Sequence, residues 1–256
     1  MNNYFCERNH EIEVFERCYY NQLPLMLKGP TGCGKSQLVQ VMAERLKLHL
    51  IKVACNEDTS SADLLGRFLI KGAETIWQDG PVTRAVRSGA LLYLDEVAEA
   101  REDVVVALHP LTDHRRELYL DRLNETIQAP ASFMCVASFN PGYQQGFKEL
   151  KPSTRQRFVS LVMDYLNDED ESNLILRLTE VSSNEARMLA KLAQKIRLLA
   201  EYNLKETVST RLLVNTAKLI HDGMEPRRAG YVGIAEVLSD DPEIIRALKD
   251  LIDLSF

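Results

Sequence analysis

Eight consecutive residues, Gly29, Pro30, Thr31, Gly32, Cys33, Gly34, Lys35 and Ser36, form a glycine-rich loop of the pattern GxxxxGK(S/T). Glycine lets the backbone curl around an anion, so that successive N–H groups and the N-terminus of the following helix point at phosphate oxygens. Lys35 brings a cation to the β- and γ-phosphates, and Ser36 brings a hydroxyl for a magnesium ion. An apolar run, Leu23 to Lys28, enters the loop and a helical pattern, Gln37 to Leu46, leaves it, which is the context this chemistry needs. The expected ligands are ATP and Mg2+. No NKxD motif for reading guanine occurs.

A second signal is Leu91-Leu92-Tyr93-Leu94-Asp95-Glu96, an apolar strand with two acids at its carboxyl end. Ligands of open α/β sheets bind at that end. Beside a phosphate loop, Asp95 is placed to bind magnesium and Glu96 to orient and deprotonate an attacking water, a pairing that points to hydrolysis. Ser138-Phe139-Asn140-Pro141-Gly142 closes another strand, and Asn140 is a candidate to hold that water. In Lys151-Pro152-Ser153-Thr154-Arg155-Gln156-Arg157-Phe158 the two arginines can stabilise charge on a transferring phosphoryl group. One subunit has no evident need of both, so Arg155, Arg157 or each of them is expected to complete a neighbour's site; the alternative is a basic loop paired with nearby acids. Arg211, behind Ser209-Thr210, is a weaker candidate for touching phosphate, the alternative being an exposed helix arginine.

These residues need a scaffold, and the apolar spacing supplies one. Five near-continuous apolar runs, at 23–28, 49–54, 90–94, 133–138 and 158–163, read as strands buried on both faces of a mainly parallel α/β sheet. Glu117 to Asp121 and Glu125 to Gln128 read as a hairpin at its rim. Asp164, Asp168, Glu169, Asp170 and Glu171 then mark a boundary, after which the spacing is helical. Ala186, Leu189, Ala190, Ala193, Ile196 and Ala200 share one helix face, and further helices follow from caps at Ser209 and Asp241. The expected domains are 1–163, with hairpin insertions near 67–77 and 117–128, and a small all-helical domain at 164–256.

The chain has 256 residues and balances 31 Lys and Arg against 37 Asp and Glu, a net charge of −6. That acidity argues against a surface built for nucleic acid. No apolar stretch approaches the ~18 residues of a membrane span, and the start, Met1-Asn2-Asn3-Tyr4, is not a leader, so a cytoplasmic protein without a membrane span is expected. Five scattered cysteines without a CxxC pair fit reduced thiols.

In order and spacing the motifs resemble the AAA+ ATPases, and more closely their MoxR branch in its CbbQ/NorQ subgroup. The resemblance is carried by the loop at Gly29 to Ser36, Asp58 to Gly66, Trp77-Gln78-Asp79-Gly80-Pro81, Leu94 to Arg101, Asn140-Pro141-Gly142-Tyr143-Gln144 and Lys151 to Phe158. It implies an AAA+ P-loop αβα sandwich with a five-stranded sheet and a helical lid. It further implies a homo-hexameric ring that spends ATP on remodelling a client, working with a von Willebrand A-domain adaptor protein. The resemblance leans to the CbbQ side, whose client is rubisco freed of inhibitory sugar phosphates; the NorQ side, which matures nitric oxide reductase, shares the same motifs.

Arg67 to Trp77 reads as a short hairpin whose Phe68, Leu69 and Ile70 either grip a client or pack on the sheet edge. Trp77 reads as a packing residue. Arg115 and Arg116 face a neighbour's nucleotide or solvent, and Cys33 is a loop thiol without an expected redox role. Two other functions share the phosphate loop: a small-molecule kinase, which would leave the Asp95-Glu96 pair unexplained, and a nucleotide-switched assembly scaffold.

Overall fold

The computed structural model describes residues 4–141, 150–203 and 207–256. Gly142, Tyr143 and Gln144 of the motif after the fourth apolar run, and the side chain of Ala200, lie outside them. The chain divides into two compact units: residues up to Pro30 with Gly34–Met163, and Thr31–Cys33 with Asp164–Phe256.

In the first unit the elements run α1 (Glu11–Tyr20), β1 (Leu25–Lys28), α2 (Lys35–Arg45), β2 (Leu50–Ala54), α3 (Ser61–Leu65), β3 (Gly66–Lys71), β4 (Glu74–Asp79) and α4 (Pro81–Ser88). They continue as β5 (Leu91–Asp95), α5 (Glu102–Ala107), β6 (Glu117–Leu120), β7 (Glu125–Gln128), β8 (Met134–Phe139), α6 (Pro152–Arg155) and β9 (Val159–Val162). The main sheet has the order β2-β5-β8-β1-β9 with every pair parallel. Each strand falls on one of the five apolar runs, but β2 and β9 are edge strands and only partly buried, so the expected burial on both faces holds for β1, β5 and β8 alone. Leu25, Leu27, Leu91, Leu92, Val136 and Ala137 are wholly buried, which explains why β1, β5 and β8 read as unbroken apolar stretches. Each such leucine contributes roughly 1.5–3 kcal/mol by leaving water.

Parallel neighbours need crossovers, and the helices supply them. On α4, Val82, Ala85 and Val86 occupy one face and join the core with Leu92, Val104 and Phe133. Pro81 opens this helix and Gly89, at φ 64°, closes it. The apolar spacing alone does not place α1, α3 or α4. The two hairpins, β3 with β4 and β6 with β7, are where the spacing puts them, each antiparallel and separate from the main sheet.

The second unit is helical: α7 (Asp168–Leu178), α8 (Ser183–Asn203), α9 (Thr210–His221), α10 (Pro226–Gly230), a π turn at Tyr231–Ala235, α11 (Glu236–Leu238) and α12 (Pro242–Asp253). Ser209 caps α9 by accepting from the Leu212 amide, and Asp241 caps α12 by accepting from that of Glu243. Most of the acidic run forms the first turn of α7, capped by Asn167, where carboxylates favour the positive end of the helix. Ala186, Leu189, Ala190, Ala193 and Ile196 are all fully buried. Among the described residues no helix is long and apolar enough to cross a membrane.

Candidate functional site

The glycine-rich loop, Asp95 and Asn140 follow or end three adjacent strands, β1, β5 and β8, on the carboxyl side of the sheet. Gly32 and Gly34 have φ of 75° and 100°, conformations that strain any side chain. Gly34 is also the N-cap of α2, which has no capping side chain and no acid in its first turn. Its leading amides are thus left for an anion, the arrangement a nucleotide phosphate needs. Lys35 is 7% exposed, and its ammonium donates to the carbonyls of Gly29 and Pro30, each at 2.8 Å, and to Asn140 Oδ1 at 2.7 Å.

Asp95 sits among three hydroxyls. Its Oδ1 accepts from Tyr93 Oη at 2.7 Å and from Ser138 Oγ, while Ser36 Oγ donates to its Oδ2 at 3.4 Å. Burial, with the Asp95 carboxylate adding to it, holds the Tyr93 hydroxyl protonated well above the ordinary phenol range. Tyr93 is therefore a permanent donor. The Ser36 hydroxyl and the Asp95 carboxylate are hard oxygen ligands, and as a donor set they fit magnesium.

Glu96 is exposed and holds a left-handed backbone, φ 54°, which costs a residue with a Cβ roughly 1–2 kcal/mol. Its amide donates to Ser138 Oγ at 2.9 Å, so one serine fixes both acids: it donates to the side chain of Asp95 and accepts from the backbone of Glu96. Sequence reasoning missed Tyr93 and Ser138. The signal was there, since Tyr93 stands two residues before Asp95 on the same strand face and Ser138 is the one polar residue of its run.

The two candidate arginines differ in environment. Arg155 ends α6 and is exposed. Arg157 is turned inward: its Nη1 donates to the Ser153 carbonyl, and its buried Nε has no hydrogen-bond partner among the described residues. On the same segment Thr154 Oγ1 lies 2.9 Å from His109 Nε2, and Lys151 pairs with Glu102 at 2.6 Å. Arg115 is held by Asp113 at 2.7 Å. The Arg116 guanidinium donates to the carbonyls of Gln22, Pro130 and Phe133, an anchor for backbone. Cys55 and Cys135 are buried, which pushes their thiols up to about 11 and about 12.

In the second unit Arg211 is exposed in the first turn of α9. Next to it, Thr210 Oγ1 donates at 2.6 Å to Glu171, a fully buried carboxylate that also receives both terminal nitrogens of Arg197 at 2.7 and 2.8 Å. Arg197 lies over the Tyr165 ring, 4.0 Å from its centroid, and Tyr165 Oη donates to the Thr31 carbonyl at 2.8 Å within the same unit. No sequence spacing announces this group.

Residues 24–158 match the family model described as AAA domain (dynein-related subfamily), and residues 171–255 match the one described as CbbQ/NirQ/NorQ C-terminal. The chain is 56% identical to the denitrification regulatory protein NirQ of Pseudomonas aeruginosa, covering 96% of this chain and 94% of that one. It is 51% identical to the protein NorQ of Paracoccus denitrificans (97% and 92% covered) and 48% identical to the protein CbbQ of Hydrogenophilus thermoluteolus (96% and 92%). Among solved structures it resembles a Thermotoga maritima RuvB mutant, with a TM-score of 0.58 at 15% identity over 94% of this chain and 68% of that one, a likeness of fold.

Proposed function

Since the chain belongs to the CbbQ/NirQ/NorQ family of AAA+ ATPases and is an ATP hydrolase, we propose that it works as a hexameric ring that couples hydrolysis to remodelling of a client protein. The observation that carries this reading is the convergence of Lys35, Asn140, Ser36, Asp95 and Glu96 at the ends of three neighbouring strands. In it, Gly29 to Ser36 bind the phosphates of ATP, and Ser36 and Asp95 are the residues that would hold magnesium. The metal supplies charge stabilisation at the phosphates when bound. Glu96 orients and deprotonates the attacking water, and Asn140 helps to hold it.

Arg155, exposed at the end of α6, suits insertion into a neighbour's site, whereas Arg157 is tied to its own segment and suits positioning it. Arg211 is assigned to the phosphate from the helical domain. The expected adaptor carries a von Willebrand A domain, and the assembly works in the cytoplasm.

The expectation that leaned to rubisco meets relatives whose identities do not favour it: 56% and 51% for NirQ and NorQ against 48% for CbbQ. We assign the client to denitrification, as nitric oxide reductase, and keep rubisco locked by a sugar bisphosphate as the second reading. The deciding experiment gives this protein, its co-purifying adaptor and Mg-ATP to each client, with Glu96→Gln as control. Recovery of nitric oxide reduction alone, lost in the variant, supports the first reading; recovery of carboxylation alone supports the second. Recovery of either client by Glu96→Gln in a single round would point to a nucleotide-switched scaffold.

A further inference from the structure

The first unit holds a second cleft, of about 700 Å3, between α3, the base of the β3–β4 hairpin and the first turns of α4. Its charged lining is asymmetric. Asp63 closes the α3 capping box by accepting from the Ser60 amide and hydroxyl, and those bonds hold its carboxyl below the usual range. Asp79 accepts from Trp77 Nε1 at 2.7 Å and from Arg87 at 3.0 Å, and Arg87 also grips Glu125 through both terminal nitrogens. Every acid and one arginine of the cleft are thus engaged. Arg67, on β3, and Arg84, on α4, are exposed and have no carboxylate within 4.0 Å among the described residues.

Three further features bear on what such a cleft would hold. The eight-residue helix α4 begins at the cleft with Gly80 as its N-cap and no capping side chain, adding a third positive pole. The indole of Trp77 lines the cleft and packs edge-on against Phe68 at 5.1 Å. The hairpin rising from it exposes Phe68, Ile70 and Ile76. Two exposed planar cations, of which Arg67 also feels the charge of Asp63, match the fork geometry of carboxylates, and an indole with exposed apolar neighbours matches the side chains between them.

We propose that this cleft binds an acidic, extended peptide segment of a protein partner, its carboxylates paired with Arg67 and Arg84 and an apolar side chain laid against Trp77. The site needs no nucleotide, so it stands apart from the motor reading and is tested without ATP.

Trp77 is the only tryptophan in the chain, so its emission reports on the cleft directly. The probe is an acetylated, amidated hexapeptide of sequence EELEEL, titrated into full-length nucleotide-free protein beside QQLQQL, inorganic phosphate and a single-stranded oligothymidylate. The expected result is a saturable change with EELEEL alone that weakens with salt and falls at least about tenfold in affinity in the Arg67→Gln, Arg84→Gln double variant. Arg84→Gln alone, an exposed change that keeps the hairpin intact, is expected to show part of that loss. ATP turnover at the wild-type level verifies the fold of both variants. An equal response to QQLQQL, a matching response to phosphate or oligothymidylate, or unchanged affinity in both arginine variants overturns the proposal.

Discussion

Lys35 Nζ lies 2.7 Å from Asn140 Oδ1, so a charge-assisted hydrogen bond ties the phosphate loop after β1 to the residue that follows β8. Lys35 keeps two backbone carbonyls as partners when that amide is removed. Asn140→Ala is therefore expected to lower turnover about 10²-fold, whereas ATP affinity stays within about threefold. Phosphate release and nucleotide titration measure the two effects. An equal fall in affinity would remove Asn140 from the reacting end of the site.

Ser138 is wholly buried and serves two acids at once. Ser138→Ala leaves the Glu96 amide without its acceptor and removes one of the donors to Asp95. The expected cost is about 1–3 kcal/mol of stability, with a loss of turnover larger than the stability change explains. Urea unfolding and ATPase assays on the same sample check this.

Arg155 and Arg157 are expected to separate experimentally. Arg155→Ala changes an exposed side chain and should leave stability within about 0.5 kcal/mol while abolishing the assembly-dependent part of turnover. Arg157→Ala removes a half-buried side chain bonded to the Ser153 carbonyl and should lower stability as well. Thermal melts, and ATPase rates across a protein concentration series, measure the difference. Full turnover in both variants once assembled would end the idea of a site completed in trans.

The three central strands and the phosphate loop are legible because burial on both faces writes a run that no surface segment imitates, and the edge strands β2 and β9 are legible from shorter apolar runs that are only partly buried. That same bluntness hides Tyr93 and Ser138, since a continuous apolar run is read for its bulk and an embedded hydroxyl passes as tolerated polarity. α3 and α4 are legible in principle, through the Ser60–Asp63 capping box and Pro81 with Gly89. The acidic run marks where the second unit's main segment begins, at Asp164, but that most of it forms the first turn of α7 behind the Asn167 cap is read only once the helix dipole is considered. The Glu171–Arg197 pair joins residues on separate helices, and only tertiary packing brings them together.

That pair supports a prediction for the helical unit. Glu171 has no exposure and is held by Arg197 and Thr210. Arg197→Met leaves a buried carboxylate uncompensated and is expected to cost about 3–5 kcal/mol. Adding Glu171→Gln should recover much of the loss. Differential scanning calorimetry on the single and double variants tests this.

Acidification should loosen the segment that carries the two arginines. Burial first, and the charge of Arg157 second, lower the His109 pKa from its ordinary 6.5, against the raising effect of Asp113. As pH falls, the unfolded chain takes up this proton before the folded one does. The histidine's contribution to stability is thus full above about pH 6.5 and declines as pH drops through the folded value. Urea midpoints from about pH 7.5 to 5 should fall less steeply in His109→Gln than in the parent.

The left-handed backbone of Glu96 sets two kinds of fitness against each other at one position. Glycine or asparagine would adopt that conformation at lower cost, so heat resistance alone would reward exchanging the very carboxylate assigned to the water. A library screened only for surviving heat would fill with folded, idle protein. Directed evolution of this chain has to select for turnover and heat tolerance in the same round.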